Sequence, residues 1–286
     1  MTIYSYSKLS TYEQCPKKYK FQYIDKIEIK EKPIEAFLGN KVHEALEWLY
    51  NTVKEGKIPE IDDLIIYYSN NWQSDYEKEK YTIVRELKVE DYFNMGIKFL
   101  LDYYTSNYPF KENTLETEKQ IFVDLTDFEN QEMHKLIGFI DRLVHNLESD
   151  EIEIHDYKTS GTLPSKEKIN EDRQLALYSI AIKTHEKFKG KRIKLIWHYL
   201  AFNQKIIIEK KDDELEKLKQ DTIKTIKIIE MATIDNNFPT KKSPLCDWCS
   251  YKNICPAWKN QYDNKDNKTK NNDKEKYPTI LKYLRD

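Results

Sequence analysis

Residues 138–159 read GFIDRLVHNLESDEIEIHDYKT, and this stretch decides the fold. Its two flanks alternate as strands do, and the polar run NLESDE at 146–151 lies between them as a turn. Residues of one parity in a strand share a face, so Ile152, Ile154, Asp156 and Lys158 point the same way. That face opens with two isoleucines suited to a core and ends with an acid and a lysine. A solvated face would not normally open so, and a core face would not normally end so. Antiparallel pairing across the turn sets Leu143 opposite Ile154 and Asp141 opposite Asp156, with Cβ atoms about 4.5–5.5 Å apart. Two carboxylates that close repel unless one takes a proton or a cation sits between them. Mg2+ or Mn2+ suits a shell of carboxylates and water, and Lys158 would stand beside such an ion as a point charge. The plainer reading is a surface hairpin with an Asp–Lys pair, since an acid-x-lysine triplet is common by chance.

Outward from this hairpin, LETEKQIFVDL at 115–125 supplies another alternating segment. Residues 36–55 carry Val42, Leu46, Leu49 and Val53 at three-to-four spacing, which predicts a helix stopped by Gly56. Further helices are expected near 62–80, 85–106, 166–187 and 212–233, and a strand pair in RIKLIWHYLAF and QKIIIEKK. The first thirty residues predict a short helix bearing Tyr12, Tyr19, Phe21 and Tyr23 among lysines. The expected fold class is α/β, a central mixed β-sheet flanked by helices. The expected divisions are an N-terminal helix in 1–35, a core in 36–235 with a helical insertion at about 57–110, a cysteine module in 236–258 and a polar low-complexity tail in 259–286.

The company kept by Asp156-Tyr157-Lys158 resembles the PD-(D/E)xK nuclease superfamily, and more closely its RecB-type and CRISPR-associated four-cysteine exonuclease branch. That branch writes its acid-x-lysine strand DYKT, as at 156–159. It also has an upstream G-x-x-x-H helix, matched by GNKVH ending in His43, and a downstream Q-x-x-x-Y helix, matched by Gln174 and Tyr178. The resemblance implies a restriction-endonuclease-like core in which His43, Asp141, Asp156 and the Tyr157 carbonyl bind the metal. It makes Lys158 the catalytic lysine, with Gln174 and Tyr178 positioning substrate or neighbouring groups. Ile140 stands where the family name has proline. Glu116 and Glu118 both qualify as the acid ahead of the G-x-x-D strand, Glu118 being preferred. Outside such a site, His43 would be a boundary histidine held by Glu47, and Gln174 and Tyr178 an ordinary boundary pair. Arg142 and Arg173, beside motif residues, are candidate phosphate contacts or plain surface pairs.

Cys246-x2-Cys249-x5-Cys255 is a tight trio, and Cys15 lies far upstream; Cys15 and Cys255 are each followed by proline. Four thiolates can hold Zn2+ or a [4Fe–4S] cluster. The one-plus-three pattern is similar to that of the iron–sulfur nucleases, which implies a cluster tying the first helix to the last ordered segment. Tyr12, Tyr19 and Trp248 surround these cysteines and would pack there, or stack on unpaired bases.

Composition excludes other classes. The chain has 286 residues and a net charge of −2, with 39% hydrophobic and 13% aromatic residues. That aromatic content argues against disorder, sparse cysteines against a secreted disulfide scaffold, and the lack of long apolar runs against a membrane span. A folded cytoplasmic protein is expected. The resemblance implies a metal-dependent exonuclease acting on DNA that is single-stranded or has free ends, in recombination, repair or CRISPR adaptation. A nuclease active only with a helicase, recombination or integrase partner is a rival reading, and since the sequence has no phosphate-binding loop, any ATP-driven unwinding must come from another chain. A catalytically silent DNA-binding module, or a zinc-stabilised one, stays open at this point.

Overall fold

A computed structural model of the chain describes residues 2–29, 31–127 and 131–258. The polar tail expected at 259–286 lies outside the described residues. The chain enters through β1 (Ile3–Ser5) and turns into α1 (Tyr6–Gln14), whose first turn is capped by the Ser5 hydroxyl accepting from Lys8 N–H. α2 (Pro16–Tyr19) follows, with proline at its first position, and runs into one π-type turn at Lys20–Ile24. The single helix expected here is thus broken at Cys15.

A short strand β2 (Lys32–Pro33) leads to α3 (Ile34–Lys54), which buries Phe37, Leu38, Val42, Ala45, Leu46 and Leu49 as one stripe. α4 (Ile61–Tyr76), the two-residue strand β3 (Tyr81–Thr82) and α5 (Val89–Asn107) complete a helical layer with α3. Strands β4 (Thr114–Asp127), β5 (Glu132–Asn146) and β6 (Glu151–Lys158) match the three alternating segments read from sequence. The pairing of β5 with β6 sets Leu143 against Ile154, the expected register.

Beyond β6 the single helix expected at 166–187 is two, α6 (Lys166–Glu171) and α7 (Gln174–Thr184). The break has a local cause: the Asp172 carboxylate accepts the Gln174 backbone N–H at 2.9 Å and so starts a new helix. Strands β7 (Ile193–Tyr199) and β8 (Gln204–Glu209) form the expected pair, and α8 (Asp212–Ile234) closes the fold.

The six-stranded sheet runs β1-β5-β6-β7-β8, with β4 on the other edge of β5. It is mixed: β6 and β7 are parallel, β4–β5, β5–β6 and β7–β8 antiparallel, and β1 parallel to β5. One face carries Ile152, Ile154 and Trp197 into a core with α1, α7 and α8. The other carries Tyr157 into a core with α3, α4 and α5. Covered on both faces, β6 is buried over nearly its whole length. No helix among the described residues is long and apolar enough to cross a membrane.

Candidate metal centre

β5 pairs with β1 over Lys135–Ile137 and with β6 over Arg142–Asn146. β4 occupies its opposite edge at both levels, so β1 and β6 share one edge and leave a gap beside residues 138–141. The Asp141 carboxylate sits at that gap. Its Oδ2 accepts the Tyr157 backbone N–H at 2.8 Å and lies 3.4 Å from His43 Nδ1.

His43 comes from α3, and its Nε2 donates to the Tyr157 carbonyl at 2.8 Å. A carbonyl only accepts, so the proton is on Nε2, and a neutral ring turns the Nδ1 lone pair toward the Asp141 carboxylate. Two lone pairs facing each other need a proton or a cation between them. Asp141, rather than Glu47, is thus the carboxylate beside the ring. α3 approaches closely because Gly39, one turn before His43, faces the end of β6: a Cβ there would lie 3.1 Å from the Thr159 hydroxyl.

Glu118 completes the group. The pairs Thr117–Arg142 and Lys119–Ile140 bracket it and set it level with Asp141. Its φ of 45° is left-handed, which costs a non-glycine residue roughly 1 kcal/mol and recurs where a side chain must be aimed. Glu116 instead ion-pairs with Lys119 at 3.1 Å. One donor atom each from His43, Glu118 and Asp141 lies within 4.8 Å of the others. An ion with bonds of about 2.1 Å holds adjacent donors about 3 Å apart and opposite ones about 4.2 Å apart, so imidazole and two carboxylates fit a hard divalent cation.

Asp156 is 2% exposed and lies outside that trio, its Oδ2 2.7 Å from Lys158 Nζ. Lys158 also donates to Gln174 Oε1 at 3.0 Å. Tyr178, one turn along α7, lies on Gly138, where an added Cβ would come within 2.3 Å of the phenol ring. Asp156, Lys158, Gln174 and Tyr178 therefore meet beside the gap.

The electrostatics are those of a centre short of positive charge. Burial first, and the Asp156 charge second, hold Asp141 well above the usual carboxylate range, although the Tyr157 N–H and Lys158 pull the other way. Burial and then Asp141 push Glu118 up to about 7. Burial lowers Lys158, but the adjoining Asp156 carboxylate outweighs it and holds the ammonium above the ordinary lysine value.

Two expected nucleic-acid contacts are corrected. Arg142 is fully buried, with Nη1 2.6 Å from Glu112 and its guanidinium 3.9 Å from the Tyr50 ring centroid, so it reaches no phosphate. Tyr19 is 3% exposed between Tyr23 and Phe238 and has no face free for a base. Arg173 pairs with Glu13, and Tyr12 packs edge-on against Tyr19 and Phe238. Trp248 is 36% exposed. Sequence reasoning passed over Asp172, whose only signal is its place ahead of a helix.

Cys15, Cys246, Cys249 and Cys255 line one pocket together with Lys17, Lys18 and Lys252, and none is in a disulfide. Burial raises the Cys249 thiol. Among the described residues no three of these sulfurs lie within 4.8 Å of one another, whereas a tetrahedral zinc site with bonds of about 2.3 Å brings its sulfurs to about 3.8 Å.

A family model described as the PD-(D/E)XK nuclease superfamily matches residues 3–256. Comparison with curated proteins finds no match. Among solved structures, a protein of Eubacterium rectale described as a putative exonuclease matches at 12% identity and a TM-score of 0.50, over 99% of this chain and 93% of its own. Another, SSO0001, matches at 17% identity over 78% of this chain and 95% of its own, with a TM-score of 0.36.

Proposed function

The chain belongs to the PD-(D/E)XK nuclease superfamily, and from that premise we propose that it is a divalent-metal-dependent deoxyribonuclease acting on single strands or free ends. The observation that carries the proposal is the meeting of His43, Glu118 and Asp141 within 4.8 Å, beside a lysine that Asp156 keeps charged.

His43, Glu118 and Asp141 would hold Mg2+ or Mn2+, with Asp156 and the Tyr157 carbonyl, ligands by the family resemblance, as further candidates. A divalent ion held there would supply charge neutralisation at the phosphate and acidify a water for the attack. Lys158 places its ammonium where negative charge grows on the phosphate, a preorganised interaction of the kind that dominates such reactions. Gln174 fixes that ammonium through Oε1, and Tyr178 holds the first turn of α7 against Gly138. A [4Fe–4S] cluster on Cys15, Cys246, Cys249 and Cys255 is preferred to zinc, supported by the one-plus-three spacing of cysteines that meet in one pocket. Partners that unwind or integrate DNA would bring the substrate to this centre.

The test is digestion of end-labelled single-stranded and duplex DNA with Mg2+ or Mn2+ and with chelator. Wild-type protein is expected to cleave only with metal, and Lys158→Ala to lose about 100- to 1000-fold in rate while staying folded. Cleavage that survives chelation, or that is unchanged in Lys158→Ala, would overturn the proposal.

A further inference from the structure

On the α5 face of the sheet, away from the cysteines, a second cavity of about 430 Å³ opens between the end of α5 and the β7–β8 hairpin. Its size is that of a small-molecule site. Its inner wall is His198, 5% exposed, and the tautomer of that ring follows from its neighbours. Arg142 Nη2 lies 2.9 Å from His155 Nδ1, and arginine can only donate, so His155 Nδ1 is an acceptor. Its proton is then on Nε2, facing Glu153 Oε2 at 3.1 Å.

His198 Nε2 lies 2.8 Å from the same His155 Nδ1 and, facing an acceptor, donates as well, so that the two donors share its one lone pair. Burial, reinforced by the neighbouring cations, keeps both rings neutral. His198 Nδ1 is therefore a lone pair held in place by the network behind it. It has no partner among the described residues, yet it is not among their sealed, unsatisfied atoms.

The rim supplies the complementary chemistry. Lys111 and Lys205 bring two ammonium groups, while the one carboxylate, Glu112, is already engaged by Arg142 at 2.6 Å and by Lys205 at 3.7 Å. Tyr108 stands at the rim with 59% of its surface exposed. The cavity thus offers a fixed acceptor at its back, an aromatic face and excess positive charge at its mouth.

We propose that this cavity binds a phosphorylated nucleoside: a base N–H donates to His198 Nδ1, the base stacks on Tyr108, and the phosphate meets Lys111 and Lys205. The same chemistry is carried by a free deoxynucleoside monophosphate and by the phosphorylated terminus of a DNA strand. The site is separate from the His43–Glu118–Asp141 centre and does not depend on hydrolysis there.

The experiment is calorimetric titration of the full chain in chelator, which silences the metal centre. Its ligands are deoxynucleoside monophosphates, deoxynucleosides, inorganic phosphate, and oligonucleotides with and without a terminal phosphate. Monophosphates or phosphate-ended oligonucleotides are expected to bind, with the bare nucleosides at least tenfold weaker. Tyr108→Ala should weaken binding roughly tenfold, and Lys111→Ala with Lys205→Ala by as much or more. Binding by monophosphates identifies the free nucleotide as the source, and binding confined to phosphate-ended oligonucleotides identifies the strand terminus. Either supports the proposal. No binding by any phosphorylated ligand, or binding untouched by the rim substitutions, would overturn it. Loss of cleavage in Lys158→Ala bears only on the metal centre, so the two failures are distinguishable.

Discussion

Glu118 shows what one residue position adds to the site. It is turned into left-handed backbone and held beside a second carboxylate, both unfavourable without a cation. Burial and the neighbouring Asp141 charge push its carboxyl up to about 7, from 4.5 for the unperturbed group. Between those values the folded chain binds more protons than the unfolded one, so unfolding free energy falls as pH rises across that window. Metal-free protein is therefore expected to lose thermal stability from about pH 5 to pH 7, and Glu118→Gln to flatten that slope. A divalent ion competes with the same protons, so its affinity should rise with pH over the same range. A slope unchanged by Glu118→Gln would contradict this. Strand parity singled out Asp141, Asp156 and Lys158, but the group that meets within 4.8 Å takes Asp141 and leaves Asp156 paired with Lys158. The backbone turn that selects Glu118 over Glu116 has no such signature, since a positive φ at a glutamate cannot be read from residue type.

Among the elements, hydrophobic periodicity located α3, α5, α8 and strands β4 to β8 with ends close to those observed. β1 was not legible: three residues carry too little pattern, and only its parallel pairing with β5 defines it. The α6–α7 break was missed because the polar run at 170–174 does not by itself end a helix, while a single carboxylate–backbone bond decides the matter. The register of α7 on the sheet rests on Gly138, where the Tyr178 ring takes the space of a side chain. Gly138→Ala should displace Tyr178 and with it Gln174, costing about 1–3 kcal/mol of stability and lowering cleavage by more than the stability loss explains. Chemical denaturation alongside a rate assay checks this; an alanine variant with wild-type rate would show that α7 does not set the position of Lys158.

Over the whole molecule, the N-terminal and C-terminal segments meet. Lys17 N–H donates to the Pro239 carbonyl, Lys241 reaches the Glu13 carbonyl, and Cys15 joins the pocket of the C-terminal trio. A cluster bridging them would close almost the entire chain into one loop, the arrangement in which a crosslink restrains the unfolded state most. Cys249→Ala is expected to abolish the visible absorbance of the cluster and lower the thermal midpoint by roughly 5 °C or more, leaving the carboxylate centre intact. An unchanged midpoint would mean that the cysteines hold nothing structural. The meeting of Cys15 with the trio in one pocket was expected only from the resemblance to iron–sulfur nucleases; the buried Arg142–His155–His198 network was not legible, because its members lie on three separate strands. The central claim is that His43, Glu118 and Asp141 form one cation site, and electron paramagnetic resonance of free Mn2+ tests it most directly. Wild-type protein and Glu116→Gln should each remove one Mn2+ per chain from solution and Asp141→Asn should not; equal binding by all three proteins would contradict the account.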